Sequence, residues 1–429
     1  TERIIDSCLT HRKPVYINVP QDLADMPVVG EPIVGVPLAQ VPPKPSNPDQ
    51  LRVATEKLKE ALQGAQSAVA LPSYLIARYG LADKFGEFAE KTGIAYATGT
   101  MDKAVASEAD DQFLGMYVGI ISTPGVKAAV ESADVVIDFD VCFSDENSGA
   151  WTSVIDPTKH IVIGADFVRV GDFHATSVSM ADALDALIEV SPTFTQPRLP
   201  IPSEEIPATT ETDRVSSAAF YPRLAEFFKD GDVVVSETGL SNLKLADLRM
   251  PDGVTFMNQP LWGSIGWGTP AAFGAAIADR SRRVVLVTGD GSHQLTANEL
   301  GVMGRYGVKP VIFLPNNELY GVEELVADTE ISGHDYNKLA AWNYADVPAA
   351  MGCTDWYTAK ATTVGQLDEA LERATTADSA VFIEVDLGAK DIPPSLPAPF
   401  LNRIYGKTST DPNVPSFAQA MAAFAGKPQ

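Results

Sequence analysis

The chain has 429 residues, of which 45% are hydrophobic, and this length predicts about three globular domains. Its formal net charge of −24 argues against nucleic acid or an acidic membrane surface as a partner, because both carry dense negative charge. No uncharged apolar run reaches the ~18 residues of a membrane span, and the three scattered cysteines favour a reducing, cytoplasmic compartment.

The first residues predict the end of a domain. An apolar helix pattern from Ile4 to Leu9 is followed by an extended, strand-like run from Pro14 to Pro20. We interpret residues 1–30 as the last helix and last strand of a domain whose remainder lies outside this chain. Such a remnant is expected to expose apolar surface.

An α/β pattern follows a proline-rich linker and is assigned to residues 31–200. The linker runs from Pro37 to Pro48, and Asn47 is placed to cap the first helix. Helix and strand patterns then alternate, which predicts a doubly wound parallel sheet. The predicted elements are helix 48–63, strand 68–71, helix 81–91, strand 94–97, helix 125–132, strand 135–139 and strand 161–165. No G-x-G-x-x-G opens the first helix, which argues against a separate dinucleotide site.

A second proline-rich linker, Ser191 to Pro207, leads into a third domain, assigned to residues 201–429. The tail of this domain, from Lys390 onward, is again rich in proline and is expected to wrap over the surface.

Two polar side chains stand just after apolar strand patterns in the third domain. The run 284–288 ends at a turn that contains Asp290, and the run 310–314 ends beside Asn317. A helix pattern, 297–306, lies between them, so the strands are expected to be parallel neighbours with their carboxyl ends side by side. Carboxylate and amide oxygens are hard ligands, and the pair therefore predicts a Mg²⁺ or Ca²⁺ site.

The turn around Asp290 is also suited to phosphate. Backbone N–H groups at Gly291 and Ser292 open a helix, where they would hold phosphate oxygens without a lysine. A GDGS tetrapeptide alone is more often a plain turn. Its place between two buried strands, with an amide at the end of the second, favours a combined metal and phosphate site.

Four segments, in this order and spacing, resemble one enzyme family. They are ETG at 237–239, WGSIGW at 262–267, GDGSHQLTANEL at 289–300 and NNELYGVEE at 316–324. Together they are similar to the thiamine diphosphate (ThDP)-dependent pyruvate and indolepyruvate decarboxylases, and the similarity extends over nearly the whole chain. The resemblance implies an α/β fold with two doubly wound parallel-sheet domains, a middle domain and a diphosphate-binding domain, preceded by a remnant of the pyrimidine-binding domain. The middle domain is regulatory or structural in the family, and we favour the structural role.

The resemblance implies a reaction and a cofactor site. The reaction is the non-oxidative decarboxylation of a 2-oxo acid to an aldehyde and CO₂, for which ThDP is the electron sink. Asp290, Asn317 and the backbone carbonyl of Leu319 correspond to the Mg²⁺ ligands, although the family usually has glycine at the Leu319 position. A carbonyl ligand needs no particular side chain, so this departure matters only if φ there is positive.

Further cofactor contacts follow from the same resemblance. Ile265 corresponds to the bulky apolar residue that bends the cofactor, and Gly263 to the residue whose carbonyl accepts from the aminopyrimidine. Thr238 is placed at the diphosphate end, where Gly291 and Ser292 also contribute. Glu323 corresponds to the catalytic glutamate, a proton relay at the intermediate, whereas Glu324 is expected to point elsewhere on the helix.

The residues around this glutamate imply a roomy substrate pocket. Val322 and Val326 stand where the ethanol-forming bacterial relatives carry isoleucine, and Asn242 stands where those relatives carry a bulky aromatic residue. Each valine is smaller than isoleucine by one methylene. We therefore expect a preference for larger or branched 2-oxo acids over pyruvate.

The resemblance also implies a protein partner. In the family the cofactor lies between the diphosphate-binding domain of one subunit and the pyrimidine-binding domain of another. No residue before Pro20 matches the glutamate and the histidine pair of that second domain. We therefore expect the pyrimidine-binding domain to come from a second subunit or chain, in a homodimer or homotetramer, and ThDP binding by this chain alone to be weak.

Three other functions stay open on the sequence. An acetolactate synthase-type carboligase shares the magnesium motif and often carries a flavin in its middle domain. A non-catalytic ThDP-binding subunit belongs to a different functional class. A nicotinamide-dependent dehydrogenase is the least favoured, because the glycine fingerprint is missing.

Overall fold

A computed structural model describes residues 2–23, 25–27, 30, 45–195, 199, 205–326, 335–389 and 391–393. The domain boundaries predicted after residues 30 and 200 both lie next to segments outside these ranges. Most of the first linker and most of the predicted tail also lie outside the described residues. Within the described ranges, no helix is long and apolar enough to cross a membrane.

The N-terminal segment consists of helix α1 (Glu2–His11) and extended backbone. The strand predicted over Pro14 to Pro20 does not form: among the described residues these pair with no neighbour, and Tyr16 and Val19 are 85% and 65% exposed. A strand requires a second strand to accept its backbone hydrogen bonds, and none of the described strands pairs with this segment.

Seven strands form the first sheet, in the order β3-β2-β1-β4-β5-β6-β7 from edge to edge. The strands are β1 (Ala68–Leu71), β2 (Ala95–Thr98), β3 (Phe113–Met116), β4 (Val135–Asp138), β5 (His160–Ile163), β6 (Phe167–Val170) and β7 (Phe173–Thr176). Strands β1 to β5 run parallel, as the alternating pattern predicts. Strand β3 and the antiparallel additions β6 and β7 were not predicted, because their partly exposed residues lack the fully buried apolar run of β1 and β4.

Helices cover both faces of this sheet and complete its core. They are α2 (Pro48–Leu62), α3 (Tyr74–Arg78), α4 (Ala82–Thr92), α5 (Pro124–Glu131) and α6 (Met180–Val190). The Asn47 side chain accepts hydrogen bonds from the first turn of α2, as predicted. On one face, Phe85 packs edge-on against Tyr96 and Phe139, with ring centroids 5.5 Å apart in each pair.

Six parallel strands form the second sheet, in the order β12-β13-β11-β10-β8-β9. They are β8 (Val233–Ser236), β9 (Thr255–Met257), β10 (Val284–Val287), β11 (Val311–Asn316), β12 (Tyr357–Ala361) and β13 (Val381–Asp386). The central strands are short β-branched runs and are buried on both faces, which is typical of a doubly wound parallel sheet. The fold-class prediction is therefore confirmed for both sheets.

The helices of the second unit are α7 (Ser217–Phe227), α8 (Leu240–Asp247), α9 (Gly268–Ala278), α10 (Asp290–Thr296), α11 (Glu299–Tyr306), α12 (Gly321–Val326), α13 (Val347–Ala350) and α14 (Val364–Thr376). The helix predicted over 297–306 is α11, which begins two residues later than expected and is preceded by a separate short helix, α10. Helix α10 starts at Asp290 with Gly289 at its N-cap position, so the GDGS turn is itself the first turn of a helix.

The order of the second sheet creates a crevice. From β8 the chain continues to β9 on one side, whereas from β10 it continues to β11 on the other side. Connections that diverge in this way leave an opening at the carboxyl ends of the two strands, the usual ligand position in such sheets. The segments after β8, β10 and β11 meet there.

Candidate functional site

A cleft lies at this crevice and gathers most of the residues singled out in the sequence. Its walls come from the segments after β8, β10, β11 and β13 and from helices α7, α8 and α12. The lining residues are Ser217, Tyr221, Thr238, Gly239, Leu240, Ser241, Ile265, Gly289, Asp290, Gly291, Ser292, Pro315, Asn317, Leu319, Tyr320, Gly321, Val322, Leu387, Asp391 and Pro393. None of these described lining residues is a lysine or an arginine, so an anion in the cleft needs a metal ion or backbone donors.

Asp290 and Asn317 both line this cleft, as the predicted strand order requires. Asp290 is buried, with Oδ1 accepting from the Gly291 N–H at 2.9 Å and Oδ2 from the Glu318 N–H at 2.7 Å. Burial raises the pKa of Asp290 to about 6, against the opposing effect of these backbone donors. A divalent cation would favour the ionised carboxylate.

The third oxygen predicted for the cation comes from the Leu319 backbone. The Leu319 N–H donates to Asn317 Oδ1 at 3.4 Å, which closes a tight turn after β11. The positive φ in this turn, 59°, belongs to Glu318, and Leu319 is not among the residues with positive φ. Leucine at this position is therefore free of backbone strain, and Asp290, Asn317 and the Leu319 carbonyl suit a small hard cation.

Glycines leave space where a phosphate-bearing ligand would lie. A Cβ built on Gly239 or Gly289 meets nothing within 4 Å, and one on Gly263 meets only Thr238 Cγ2 at 3.9 Å. Gly291 is the opposite case, because a Cβ there would lie 2.6 Å from Tyr320 Cε1. The backbone of helix α10 is thus packed on one side and bare on the other, which fits a diphosphate held by N–H groups.

Two walls of the cleft carry the other predicted cofactor contacts. Thr238 and Ser292 meet on one wall, where Ser292 Oγ lies 3.5 Å from the Thr238 carbonyl oxygen. Ile265 lines the cleft from the turn before α9, as expected for an apolar residue under a bound ring system. Gly263 lies in the same turn with φ 57° and does not itself line the cleft.

The two acids of α12 take different positions. Glu323 is exposed and does not line the cleft, whereas its neighbour Val322 does. Glu324 points away and accepts a hydrogen bond from Asn337 Nδ2 at 2.8 Å. The prediction that Glu324 faces elsewhere agrees with this contact, and the catalytic role of Glu323 stays a prediction.

Asn242 does not occupy the pocket position predicted for it. Its side chain is buried between the two α/β units, where Nδ2 lies 3.5 Å from Glu146 Oε1 and Oδ1 accepts from Asn258 Nδ2 at 3.1 Å. A side chain two residues beyond the cleft-lining Leu240 points away from the cleft because α8 has already begun. The side chain of Val326 lies outside the described residues.

One wall of the cleft was not predicted at all. Ser217 and Tyr221 on α7 face Asp391 and Pro393, which follow β13. The Ser217 N–H donates to Asp391 Oδ2 at 2.5 Å, and the Tyr221 hydroxyl lies 3.0 Å from Ser241 Oγ. No local sequence signal marks these residues, because they are brought together only by the position of β13 within the sheet.

Comparison with known proteins identifies both units. Residues 237–385 match the profile of the thiamine pyrophosphate enzyme C-terminal TPP binding domain, and residues 55–190 match that of the thiamine pyrophosphate enzyme central domain. An alpha-keto-acid decarboxylase of Mycobacterium leprae (strain TN) is 34% identical over 414 residues, covering 94% of this chain and 71% of the relative. An alpha-keto-acid decarboxylase of Mycobacterium tuberculosis (strain H37Rv) is 35% identical over 397 residues, covering 91% and 70%.

A solved structure supports the fold. It is an X-ray structure of a Mycobacterium smegmatis protein provisionally assigned as a thiamin diphosphate-dependent enzyme. It superposes with a TM-score of 0.64 at 23% sequence identity, and the match covers 86% of this chain and 69% of that one. At this identity the match is evidence for the architecture alone.

Proposed function

The chain belongs to the thiamine pyrophosphate enzymes, in the family of the alpha-keto-acid decarboxylases, and on this premise we propose that it carries out the ThDP- and Mg²⁺-dependent, non-oxidative decarboxylation of a 2-oxo acid. The products are an aldehyde and CO₂. The observation that carries the proposal is the meeting of Asp290, Asn317 and Leu319 in one cleft whose open side is bordered by bare glycines.

Different residues of the cleft would bind the metal ion and the diphosphate. Asp290 and Asn317 would hold Mg²⁺ with the Leu319 carbonyl, and this cation would neutralise a diphosphate that no basic residue of the described cleft reaches. The Ser292 N–H would hold a diphosphate oxygen at the start of α10, and the Gly291 N–H, which donates to Asp290 Oδ1, would be shared between that carboxylate and a second diphosphate oxygen. When bound, the cofactor accepts the electron pair left behind as CO₂ departs.

The apolar residues orient and shield the reacting centre. Ile265 would support the bound cofactor from below, with Thr238 at its diphosphate end and the Gly263 carbonyl close to its aminopyrimidine. Val322 would border the space next to the substrate. Glu323, one residue further along α12, would transfer a proton at the carbon that loses CO₂.

The role of Glu323 is tested by Glu323→Gln. Because the amide cannot donate or accept the transferred proton, CO₂ release from a 2-oxo acid is expected to fall about 100-fold or more. Glu324→Gln is the matched control, since that side chain is hydrogen-bonded to Asn337, and near-normal turnover is expected for it. Unchanged CO₂ release by Glu323→Gln removes this residue from the mechanism, and binding of ThDP without any CO₂ release by the wild type favours a non-catalytic subunit.

We propose that the substrate is larger than pyruvate. The support is Val322, which lines the cleft with a smaller side chain than isoleucine, while Asn242 no longer contributes to this proposal. Turnover of pyruvate is compared with that of a branched and an aryl 2-oxo acid, for the wild type and for Val322→Ile. The larger acids are expected to be preferred by the wild type, and the added methylene is expected to lower that preference up to about tenfold. A clear preference of the wild type for pyruvate contradicts the proposal.

We further propose that a second polypeptide surface, carrying the pyrimidine-binding residues, covers this cleft in a homodimer or homotetramer. Leu261, Trp262 and Leu295 are exposed next to the turn that carries Ile265, with Trp262 82% exposed. Large apolar side chains around a cleft are typical of an interface. Sedimentation that finds only monomers in the presence of ThDP and Mg²⁺ would contradict this proposal.

The cysteines support a cytoplasmic location. Cys8, Cys142 and Cys353 are an odd number of cysteines at unrelated spacings, a pattern that favours a reducing compartment. Cell fractionation tests this assignment, and recovery of the protein outside the cytoplasm would overturn it.

A further inference from the structure

We propose that Glu237 is a positioning residue of this site, whose carboxylate fixes the turn 263–267 against the end of β8. The inference rests on the proposed function and adds to it a residue that sets the cofactor-binding geometry without contacting the reacting atoms. Glu237 follows β8 directly and is 1% exposed.

The carboxylate of Glu237 accepts hydrogen bonds from the backbone of two segments, the end of β8 and the start of α9. Oε1 accepts from the Thr238 N–H at 3.0 Å, and Oε2 accepts from the Gly268 N–H at 2.7 Å. The N–H groups of Gly266 and Trp267, in the turn just before Gly268, also favour the charged form of this carboxylate. Burial raises the pKa of Glu237, and these four N–H groups oppose the rise.

The turn held by these bonds carries the predicted cofactor contacts. Ile265 points from it into the cleft, and Gly263 lies within it in a left-handed conformation, with φ 57°. Thr238, the next residue along the chain from Glu237, also lines the cleft. One buried carboxylate therefore accepts hydrogen bonds from the segment after β8 and from the start of α9, which follows the turn that carries Ile265.

The same carboxylate acts on helix α9. Trp267 is the N-cap residue of this helix and makes no side-chain capping bond, so Glu237 takes over that role from a distant part of the chain. A Cβ at Gly268 would lie 2.9 Å from Glu237 Oε2, so only glycine allows this approach. The start of α9 and the turn before it are thereby held in one position.

Glutamine at position 237 would have the same size as glutamate but could not accept the same hydrogen bonds. Its side chain has one acceptor oxygen, and its NH₂ group would face N–H donors of the turn. Donors left unsatisfied in a buried position are costly, so the turn is expected to move until water or another acceptor reaches them. Movement of the turn displaces Ile265 and Gly263 from the cleft.

Asp232 provides a matched control at the opposite end of the same strand. It precedes β8, is 2% exposed, and accepts two hydrogen bonds from Arg283, at 2.8 Å and 2.6 Å. The carboxylate of Asp232 lies at the amino edge of the sheet and does not line the cleft. Asp232→Asn therefore replaces a buried carboxylate by an amide, as Glu237→Gln does, but does not act on the turn 263–267.

The experiment measures binding of ThDP with Mg²⁺ by calorimetry and the thermal midpoint of unfolding for the whole chain and its variants. Glu237→Gln is expected to weaken ThDP binding about tenfold or more at a temperature where circular dichroism reports a folded protein. Asp232→Asn is expected to lower the thermal midpoint and to leave the affinity for ThDP within about twofold. Glu237→Asp, which keeps the charge but falls one methylene short, gives a second variant with weakened binding if the glutamine variant does not fold.

A double-mutant cycle with Ile265→Ala separates positioning from general stability. If Glu237 acts through the turn, the two substitutions together are expected to weaken ThDP binding by less than the product of their separate effects. If Glu237→Gln or Glu237→Asp binds ThDP with the same affinity as the wild type, the inference is overturned and the proposed function is unaffected. A wild-type chain that shows no ThDP binding even at millimolar cofactor overturns the proposed function, and the inference with it.

Discussion

His293 is a buried histidine that the site does not use for binding. Its ring packs against Phe382, with centroids 5.5 Å apart, and against Tyr344, at 6.4 Å. Nδ1 lies 3.4 Å from Thr269 Oγ1, and Nε2 has no hydrogen-bond partner in the described structure. Burial lowers the pKa of His293 to about 4, so the ring is neutral in the folded protein near neutral pH.

This residue makes the fold sensitive to mild acid. The pKa of His293 is 6.5 in the unfolded chain and about 4 in the folded protein. Between these pH values the unfolded state therefore binds a proton that the folded state does not bind. Stability is therefore expected to fall as pH drops from about 6.5 to about 4, by up to a few kcal/mol. His293→Leu is expected to lose less of its free energy of unfolding than the wild type between pH 7 and pH 5, as measured by urea unfolding. The exposed His174→Leu serves as the control, and an unchanged pH dependence in His293→Leu would contradict the prediction.

Glu318 carries the backbone strain of the metal-binding turn. A non-glycine residue at φ 59° is disfavoured by about 1 kcal/mol. The conformation is held because the Glu318 N–H is shared between Asp290 Oδ2 at 2.7 Å and Asn316 Oδ1 at 3.2 Å. The hydrogen bond to Asp290 thus holds the loop after β11 against the loop after β10 and offsets the strain.

At the level of elements, helix α12 packs on the middle unit. Leu325 is buried against Ala150, and Ile120, Trp151 and Leu240 complete the same cluster. Gly149, Ala150 and Trp151 have φ of 58°, 56° and 60°, so three successive residues adopt the left-handed conformation at this contact. The middle unit therefore supports the helix that carries Val322 and Glu323, which agrees with a structural role for it.

At the level of the whole molecule, a buried ion pair joins the two α/β units. Lys103 Nζ lies 2.9 Å from Glu108 Oε2 and donates to the Leu248 carbonyl oxygen at 2.6 Å, and the Met250 N–H donates to Glu108 Oε2 at 2.9 Å. The Lys103 and Glu108 side chains are only 4% and 0% exposed. Arg249 adds a bond to the Glu108 carbonyl oxygen.

Removal of one partner of this pair is expected to be costly. Lys103→Met leaves Glu108 buried without its counter-charge, which typically destabilises a fold by about 3–5 kcal/mol. Urea unfolding followed by tryptophan fluorescence measures the change. Lys84→Met, which breaks the partly exposed pair with Asp185, is expected to have little effect. A Lys103→Met protein as stable as the Lys84→Met protein would refute a linking role for the buried pair.

The local sequence was sufficient to predict that Asp290 and Asn317 meet at one edge of the second sheet. Short β-branched runs followed by glycine, aspartate and asparagine fix where β10 and β11 end, and a helix between two such runs requires parallel neighbours. Asp290 and Asn317 could therefore be brought to one edge from the sequence. The predicted alternation of the middle unit depends on the same periodicity, and for that reason β1, β2, β4 and β5 were found within one or two residues.

Only the tertiary structure decided which distant residues complete the cleft. Asp391 reaches Ser217 because β13 inserts between β11 and β12, and Glu237 reaches Gly268 because the turn before α9 folds back over β8. Asn242 faces the middle unit because α8 begins before it. Such contacts depend on strand order and on packing between units, which involve long-range interactions that local periodicity and turn chemistry do not encode.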